Sequence, residues 1–329
     1  MSAARSGTGP LVSVVTPFYN TVEYLDECIQ SVLSQTYKSF EYVLVNNRST
    51  DGSRELVQSY ALRDPRIRLL DNPVHVGPIE NHNRALRAID ARSVYCKVVQ
   101  ADDWIYPECL ARMVELAVAN PNVGVVGAYT LLEKDVYLTG LPYTETVVPG
   151  RELCRRYLLD GLYVTGSPTA SLIRADLVRA RPSFYNERNT FCDVEACMDV
   201  LGESDFGFVH QVLTFTRRSN DSITTRRKGY NSRLLTERIM IEKFGKVYLS
   251  DEEFRRRLRK IDGDYYRSLG DYVFRFMPRE FWSFQEEALA TVPTGLHRWR
   301  VAIGAVRVLL ERALNPLDTV VRLVRGPKR

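Results

Sequence analysis

The sequence predicts an α/β fold, a mostly parallel sheet flanked by helices, with a helical C-terminal extension. Three observations carry this. Short apolar runs alternate with helical patterns over the first 130 residues, which is the pattern of β-α-β units. A polar cluster follows each of Thr16, Val45, Leu70 and Val99, and open parallel sheets bind ligands at the carboxyl ends of their strands. From Tyr230 onward the pattern is helical and heavily charged, without strand signals.

The elements follow in order. Residues 11–16 form an apolar run ending at Pro17, and residues 21–35 carry Val22, Leu25, Cys28, Ile29, Val32 and Leu33 at helical spacing. A second strand at 40–45 runs into the polar cluster 46–53, and a helix with Leu56, Val57 and Tyr60 follows. Residues 66–70 are a third strand. The loop after it contains Asn72-Pro73 and Gly77-Pro78 and leads to a helix over 79–88. Residues 94–99 are a fourth strand, Pro107 opens a helix with Leu110, Met113, Val114 and Ala117 on one face, and 123–128 are a fifth strand. Beyond residue 130 the pattern changes: a helix near 151–160, a turn at 166–168, a helix over 193–201, and strand-like runs at 206–209 and 212–216.

The bulk numbers exclude several classes. Of the 329 residues, 45% are hydrophobic and 26% charged, enough for a sizeable core. A net charge of +5 is modest for nucleic-acid binding, and no nucleic-acid partner is expected. The six cysteines form no CxxC pair and read as reduced, buried thiols of a cytoplasmic protein. The four histidines lack zinc spacing. Residues 1–10 read as a disordered lead, and no stretch reaches the roughly 18 apolar residues that span a bilayer. The turn after the first strand has no GxGxxG, which argues against a dinucleotide oxidoreductase. It also has neither Gly nor Lys, which argues against a nucleotidyltransferase.

The chemistry concentrates at three places. Asp102 and Asp103 end the fourth strand. An N-cap explains one carboxylate but not two, whereas a divalent cation carrying a diphosphate uses one or two carboxylates plus phosphate oxygens. Tyr19, after Thr16 and Pro17, offers a ring on which a base can stack. Asn46 and Asn47 offer amides that can both donate and accept.

Three motifs in order, Val-x-Val-x-Thr-Pro-x-Tyr-Asn at 12–20, Val-Asn-Asn-x-Ser-Thr-Asp-Gly-Ser at 45–53 and Ala-Asp-Asp-Trp at 101–104, resemble family 2 glycosyltransferases. These are inverting sugar transferases of the GT-A type, many of them bacterial. The resemblance reaches to about residue 225. It implies a catalytic domain over 11–225, with a nucleotide-binding half at 11–130 and an acceptor half at 131–225, followed by a helical region at 226–329. Thr16, Pro17 and Tyr19 match residues lining the base, and Asn46 stands where the family usually has an acid that contacts the base. Asp102 matches the ribose-side acid, and Asp103 the ligand of a Mn²⁺ or Mg²⁺ ion on the diphosphate. Gln100 replaces a further common Asp. Gly77 and Asn83 resemble an element near the nucleotide, with His82 replacing a common Arg. Phe191-Cys192-Asp193-Val194-Glu195 resembles the motif of the catalytic base, which makes Asp193 the base and Glu195 the fallback. Its place at a helix N-terminus predicts that Asp193 is ionised at neutral pH. Residues 217–222 resemble a loop closing over the diphosphate, with Arg217 and Arg218 offsetting phosphate charge and Ser219 where relatives often carry His.

The activity implied is hexosyl transfer from a nucleotide-diphospho-sugar to a saccharide or lipid-linked acceptor, in cell-surface polysaccharide or glycolipid synthesis. The departures at Asn46, Gln100, Cys192 and Ser219 leave one alternative, a nucleotide-sugar-binding scaffold without turnover. Residues 296–310 and 319–329 mix bulky apolar residues with arginines, which suits peripheral contact with the inner face of the plasma membrane or packing against a second subunit.

Overall fold

In the computed structural model, residues 9–218, 230 and 232–314 are described. The chain divides into two compact units: Met1–Glu187 with Phe191–Arg226, and Arg188–Thr190 with Arg227–Arg329.

In the first unit the strands and helices run β1 (Val12–Phe18), α1 (Val22–Leu33), β2 (Phe40–Asn46), α2 (Ser53–Ala61), β3 (Ile67–Asp71), α3 (Pro78–Arg87), β4 (Tyr95–Val98), β5 (Trp104–Ile105), α4 (Cys109–Ala119), β6 (Val123–Leu132), β7 (Asp135–Tyr137), β8 (Val147–Val148), α5 (Gly150–Asp160), β9 (Ser171–Arg174), α6 (Ala175–Arg179), α7 (Cys192–Leu201) and β10 (Asp205–Thr216). The sheet order is β3-β2-β1-β4-β9-β6-β10-β5, with β7 on β6 and β8 on β10. The first four strands are parallel, as the alternation predicts. The fifth parallel run does not join them directly, because β9 inserts between β4 and β6 and is antiparallel to both. The two runs predicted at 206–209 and 212–216 are one strand, β10. Its register shifts between Val209 and Val212, so a bulge re-aims the strand without ending it. The two-residue strand β5 carries no periodic signal. It exists because Trp104 pairs with Phe215 across β10 and stacks on that ring at 4.8 Å.

The core of this unit is continuous. Val12, Val14, Leu25, Ile29, Tyr42, Leu44, Leu110 and Met113 are fully buried within one cluster, which joins β1 and β2 to α1 and α4. Strands buried on both faces read as continuous apolar runs, which is how β1 and β2 read. None of the six cysteines is disulfide-bonded, and only Cys192 keeps part of its surface exposed.

The described residues of the second unit form α8 (Ser232–Tyr248), α9 (Asp251–Val273), α10 (Arg279–Leu289) and α11 (Arg298–Leu314). Ser250 and Glu253 close a capping box at the start of α9. A Cβ on Gly270 would fall 2.2 Å from the Gly304 backbone, so α9 and α11 cross in direct backbone contact. The buried Arg238 is held by Asp262 at 2.8 Å and by the Thr294 hydroxyl at 2.7 Å.

Candidate functional site

The parallel register places Phe18, Asn46 and Asp71 side by side at the carboxyl edge of the sheet. Tyr19, the first residue past β1, is 46% exposed, with its ring 4.4 Å from that of His75. Thr16 and Pro17, matched to the base-lining residues, are buried inside the strand. The Thr16 hydroxyl donates to the Val99 carbonyl at 2.8 Å and meets the Tyr42 hydroxyl at 3.0 Å, so its side chain ties β1 to the end of β4. A central strand covered on both faces has no solvent-facing position before its end.

The two asparagines are absorbed by the protein. Asn47 Nδ2 donates to the Val76 carbonyl at 2.9 Å and its Oδ1 accepts from Val76 N–H at 3.0 Å, so the amide imitates a strand partner. Asn72 Nδ2 then bridges Asn47 Oδ1 and Asn81 Oδ1. Asn46 is buried: it donates to Asp71 at 2.8 Å and accepts from Ser49 N–H at 2.9 Å. Of the three register-aligned residues Phe18, Asn46 and Asp71, the one facing solvent is Asp71, gripped by the Arg54 fork at 2.8–3.1 Å. Arg54, with Asn46, holds its carboxyl below the usual range. Asp71 ends the short run 66–70, and only the register with β2 brings it beside Asn46. Arg48, exposed next to this pair, has φ 66°, a left-handed conformation uncommon outside glycine.

The carboxylates at the end of β4 point in different senses. Asp103, matched to the metal ligand, is turned inward and is 1% exposed. Its oxygens accept from the Thr169 hydroxyl at 2.6 Å and the Arg217 N–H at 3.0 Å. Burial, and then the charge of Asp102, push its pKa up to about 7. Such a carboxylate has no open face for a cation. Asp102 is half-buried, and its charge is felt by Tyr24, Cys28 and His82 around it. Arg217 does not stand open for phosphate either. It pairs with Glu27 at 2.7 Å, donates to the Asp102 carbonyl at 3.1 Å and lies over the Tyr24 ring. The Arg218 guanidinium lies over the Tyr137 ring at 5.5 Å. Ser219 and the rest of that loop fall outside the described residues.

Gly77 precedes α3 with ordinary backbone angles, and a Cβ there would meet nothing within 4 Å among the described residues. Neither strain nor crowding among them requires glycine at this position. Asn83, one turn further along, is buried and clamps the 185–187 segment, donating to Tyr185 O at 2.8 Å and Glu187 at 3.1 Å and accepting from Tyr185 N–H at 2.8 Å. The clamp brings Tyr185 edge-on to His82, with ring centroids 6.2 Å apart. Burial lowers the His82 pKa against the pull of Asp102, which favours the neutral ring.

Tyr185 also lies within the field of Asp193, in the first turn of α7. Asp193 is half-buried and accepts from Val194 N–H at 2.9 Å. Desolvation outweighs the helix N-terminus here and raises its pKa, opposite to the direction expected from the helix dipole alone. Glu195 is held by Asn186 at 3.1 Å.

Among the described residues no three His, Cys, Asp or Glu side chains cluster as a ready metal cage. A Mg²⁺ or Mn²⁺ ion carried by a diphosphate needs only one or two carboxylates, and a half-buried Asp102 is compatible with that donor set.

Known proteins supply further findings. The family model described as Glycosyl transferase family 2 matches residues 13–181, just over half of the chain. The chain is 29% identical over 223 residues to glycosyltransferase GlyG of Streptococcus pneumoniae, covering 65% of this chain and 72% of GlyG. It is 31% identical over 126 residues to the putative teichuronic acid biosynthesis glycosyltransferase TuaG of Bacillus subtilis, covering 38% of this chain and 49% of TuaG. It is also 36% identical over 118 residues to the uncharacterized glycosyltransferase EpsJ of B. subtilis, but that alignment spans only 33% of EpsJ and 36% of this chain. The fold matches S. aureus TarS, solved with UDP-GlcNAc, at TM-score 0.62 and 18% identity, covering 86% of this chain and 81% of that one. It matches mannosyltransferase PcManGT of Pyrobaculum calidifontis, solved with GDP-Man and Mn²⁺, at TM-score 0.59 and 16% identity, covering 97% and 79%. At these identities the two structures speak for the fold, which is of the GT-A type.

Proposed function

The chain belongs to glycosyl transferase family 2, and on that premise we propose that it moves a hexosyl group from a nucleotide-diphospho-sugar to an acceptor hydroxyl with inversion, in cell-surface polysaccharide or glycolipid synthesis. The single observation that carries the reading is the division of labour between Asp102 and Asp103. One carboxylate is locked into the protein, and its neighbour is left half-buried at the carboxyl edge of the sheet. The metal-ligand role therefore passes from Asp103 to Asp102. The nucleotide-sugar complexes of TarS and PcManGT, the Mn²⁺ in the latter and the teichuronic acid assignment of TuaG support the substrate class.

In this reading Tyr19 and His75 supply an aromatic edge for the base, and Asp71, ionised beside Arg54, supplies an acceptor for base or ribose donors. Gly77 leaves room for the donor to approach α3. Asp193 takes the proton of the attacking hydroxyl; its raised pKa strengthens it as a base. A divalent ion, when bound, neutralises charge on the leaving diphosphate. Retention of a half-buried Asp193 favours turnover over a scaffold role.

Melting curves of the protein with nucleoside diphosphates and their sugars, with and without Mn²⁺, test the reading, because a ligand of the native state raises the Tm. A Mn²⁺-dependent rise with one nucleotide family is expected. No shift with any of them overturns the assignment.

No described helix is long and apolar enough to cross a membrane. Peripheral contact through α11 is supported by Trp299, Ile303, Val306, Leu310 and Leu314, which are exposed at helical spacing along one stripe. Replacing Ile303 and Leu310 with Ser is expected to abolish co-flotation with anionic vesicles; unchanged flotation, or none by the parent chain, removes the idea.

A further inference from the structure

Lys97 is a lysine in the protein core, with no surface exposed to water. An ammonium in that position is costly unless it is hydrogen-bonded. Its Nζ donates to the Thr169 carbonyl at 2.7 Å and the Ser171 carbonyl at 3.3 Å, and touches Met113 Sδ at 3.8 Å. The location explains the need. β9 runs antiparallel to β4 only as far as the pairs Tyr95–Arg174 and Cys96–Ile173. From there the chain at 168–171 leaves β4, and the Thr169 and Ser171 carbonyls have no ladder partner on β4. Lys97 stands at the split and replaces the missing donors.

Thr169 uses the opening. Its hydroxyl donates to Asp103 Oδ2 at 2.6 Å and accepts from Gln100 N–H at 3.1 Å. Asp103 N–H returns to the Gln100 carbonyl at 3.0 Å. One threonine thus holds the turn 100–103 at both ends, and one lysine holds the backbone of that threonine.

We propose that Thr169, supported by Lys97, is a positioning residue: its hydroxyl fixes the Asp103 carboxylate and so aims Asp102 at a divalent cation on the donor diphosphate. The proposal rests on the assignment of Asp102 made above. Groups that orient metal ligands from behind typically cost 10–100-fold in affinity when removed, a rough scale for the effect here.

The test is Mn²⁺ binding to the full chain, read from the free-Mn²⁺ EPR signal in the presence of UDP or of GDP, with a melting curve for every variant. Thr169→Val keeps the shape and removes the hydroxyl, and is expected to weaken Mn²⁺ binding by about 10–100-fold. Thr169→Ser keeps the hydroxyl and is expected to restore near-parental binding. Lys97→Met is expected to weaken binding in the same direction as Thr169→Val. Should Thr169→Val not fold, Thr169→Ala against Thr169→Ser makes the same comparison. Parental binding by Thr169→Val, or equal loss in Thr169→Ser, overturns the proposal while leaving Asp102 in place. Failure of the parent chain to bind Mn²⁺ with either nucleotide overturns the Asp102 assignment and the proposal together.

Discussion

Asn47 and Val76 exchange two hydrogen bonds, the amide donating at 2.9 Å and accepting at 3.0 Å, as paired strand residues do. A carboxylate accepts but does not donate, so an acid at 47 would face the Val76 carbonyl unpaired. Asn47→Asp is expected to destabilise the fold by about 1–3 kcal/mol, measured by urea unfolding. Unchanged stability would mean that the pairing is replaceable by water.

Asp102 and Asp103 should separate under mutation. Asp102→Asn is expected to abolish Mn²⁺-dependent nucleotide binding, measured as the loss of the nucleotide-induced rise in Tm. Asp103→Ala leaves the Thr169 hydroxyl and the Arg217 N–H without their buried acceptor. It is expected to cost about 1–3 kcal/mol for each group, read by denaturant melts. Through the loss of positioning, Asp103→Ala is also expected to weaken Mn²⁺ binding by about 10–100-fold. Parental Mn²⁺ binding by Asp102→Asn, together with its abolition in a stable Asp103→Ala protein, would return the ligand role to Asp103.

Asp193→Asn is expected to lower turnover by about 10²–10⁴, the usual range for a general base, while the donor-induced rise in Tm survives. Normal turnover in that variant excludes Asp193 as the base.

The pH dependence follows from the direction of the Asp193 shift. Burial disfavours the ionised form, so its folded pKa lies above its unfolded value of about 4. Activity is expected to rise with pH along a limb set above that value. The contribution of this group to stability runs the other way: it is fully present below about pH 4 and is lost as pH rises through the raised folded value. Rate and unfolding profiles between about pH 4 and 8 check both signs. An acidic limb at the ordinary aspartate value would contradict the desolvation.

Arg48 occupies left-handed backbone at φ 66°. Arg48→Gly removes the Cβ conflict and is expected to stabilise the chain by about 1 kcal/mol in urea melts. If the strain is retained to hold a cation at the donor edge, the same variant binds nucleoside diphosphates less tightly; unchanged binding would deny Arg48 that part.

The parallel strands, the order of the helices and the polar edge were legible in the sequence because they are local. Apolar runs such as 12–18 and the 3.6-residue period of α1 and α4 are written within a dozen residues. Tyr19 was readable as a ring available for stacking because it lies just past a strand end. β9 was not readable, since the four residues of Ser171–Arg174 gain their identity only from strands on either side.

By itself, the sequence determined that polar side chains collect at one edge of a parallel sheet and that two carboxylates stand together at the end of β4. Tertiary structure alone decided which of those groups face water. Asp103 found its partners 66 and 114 residues away, and Asn83 found Tyr185 102 residues away. A polar residue at a strand end is bound to hydrogen-bond something. Whether that partner is solvent, a ligand or a distant stretch of the same chain depends on which segments the fold brings into reach, and no local pattern encodes that.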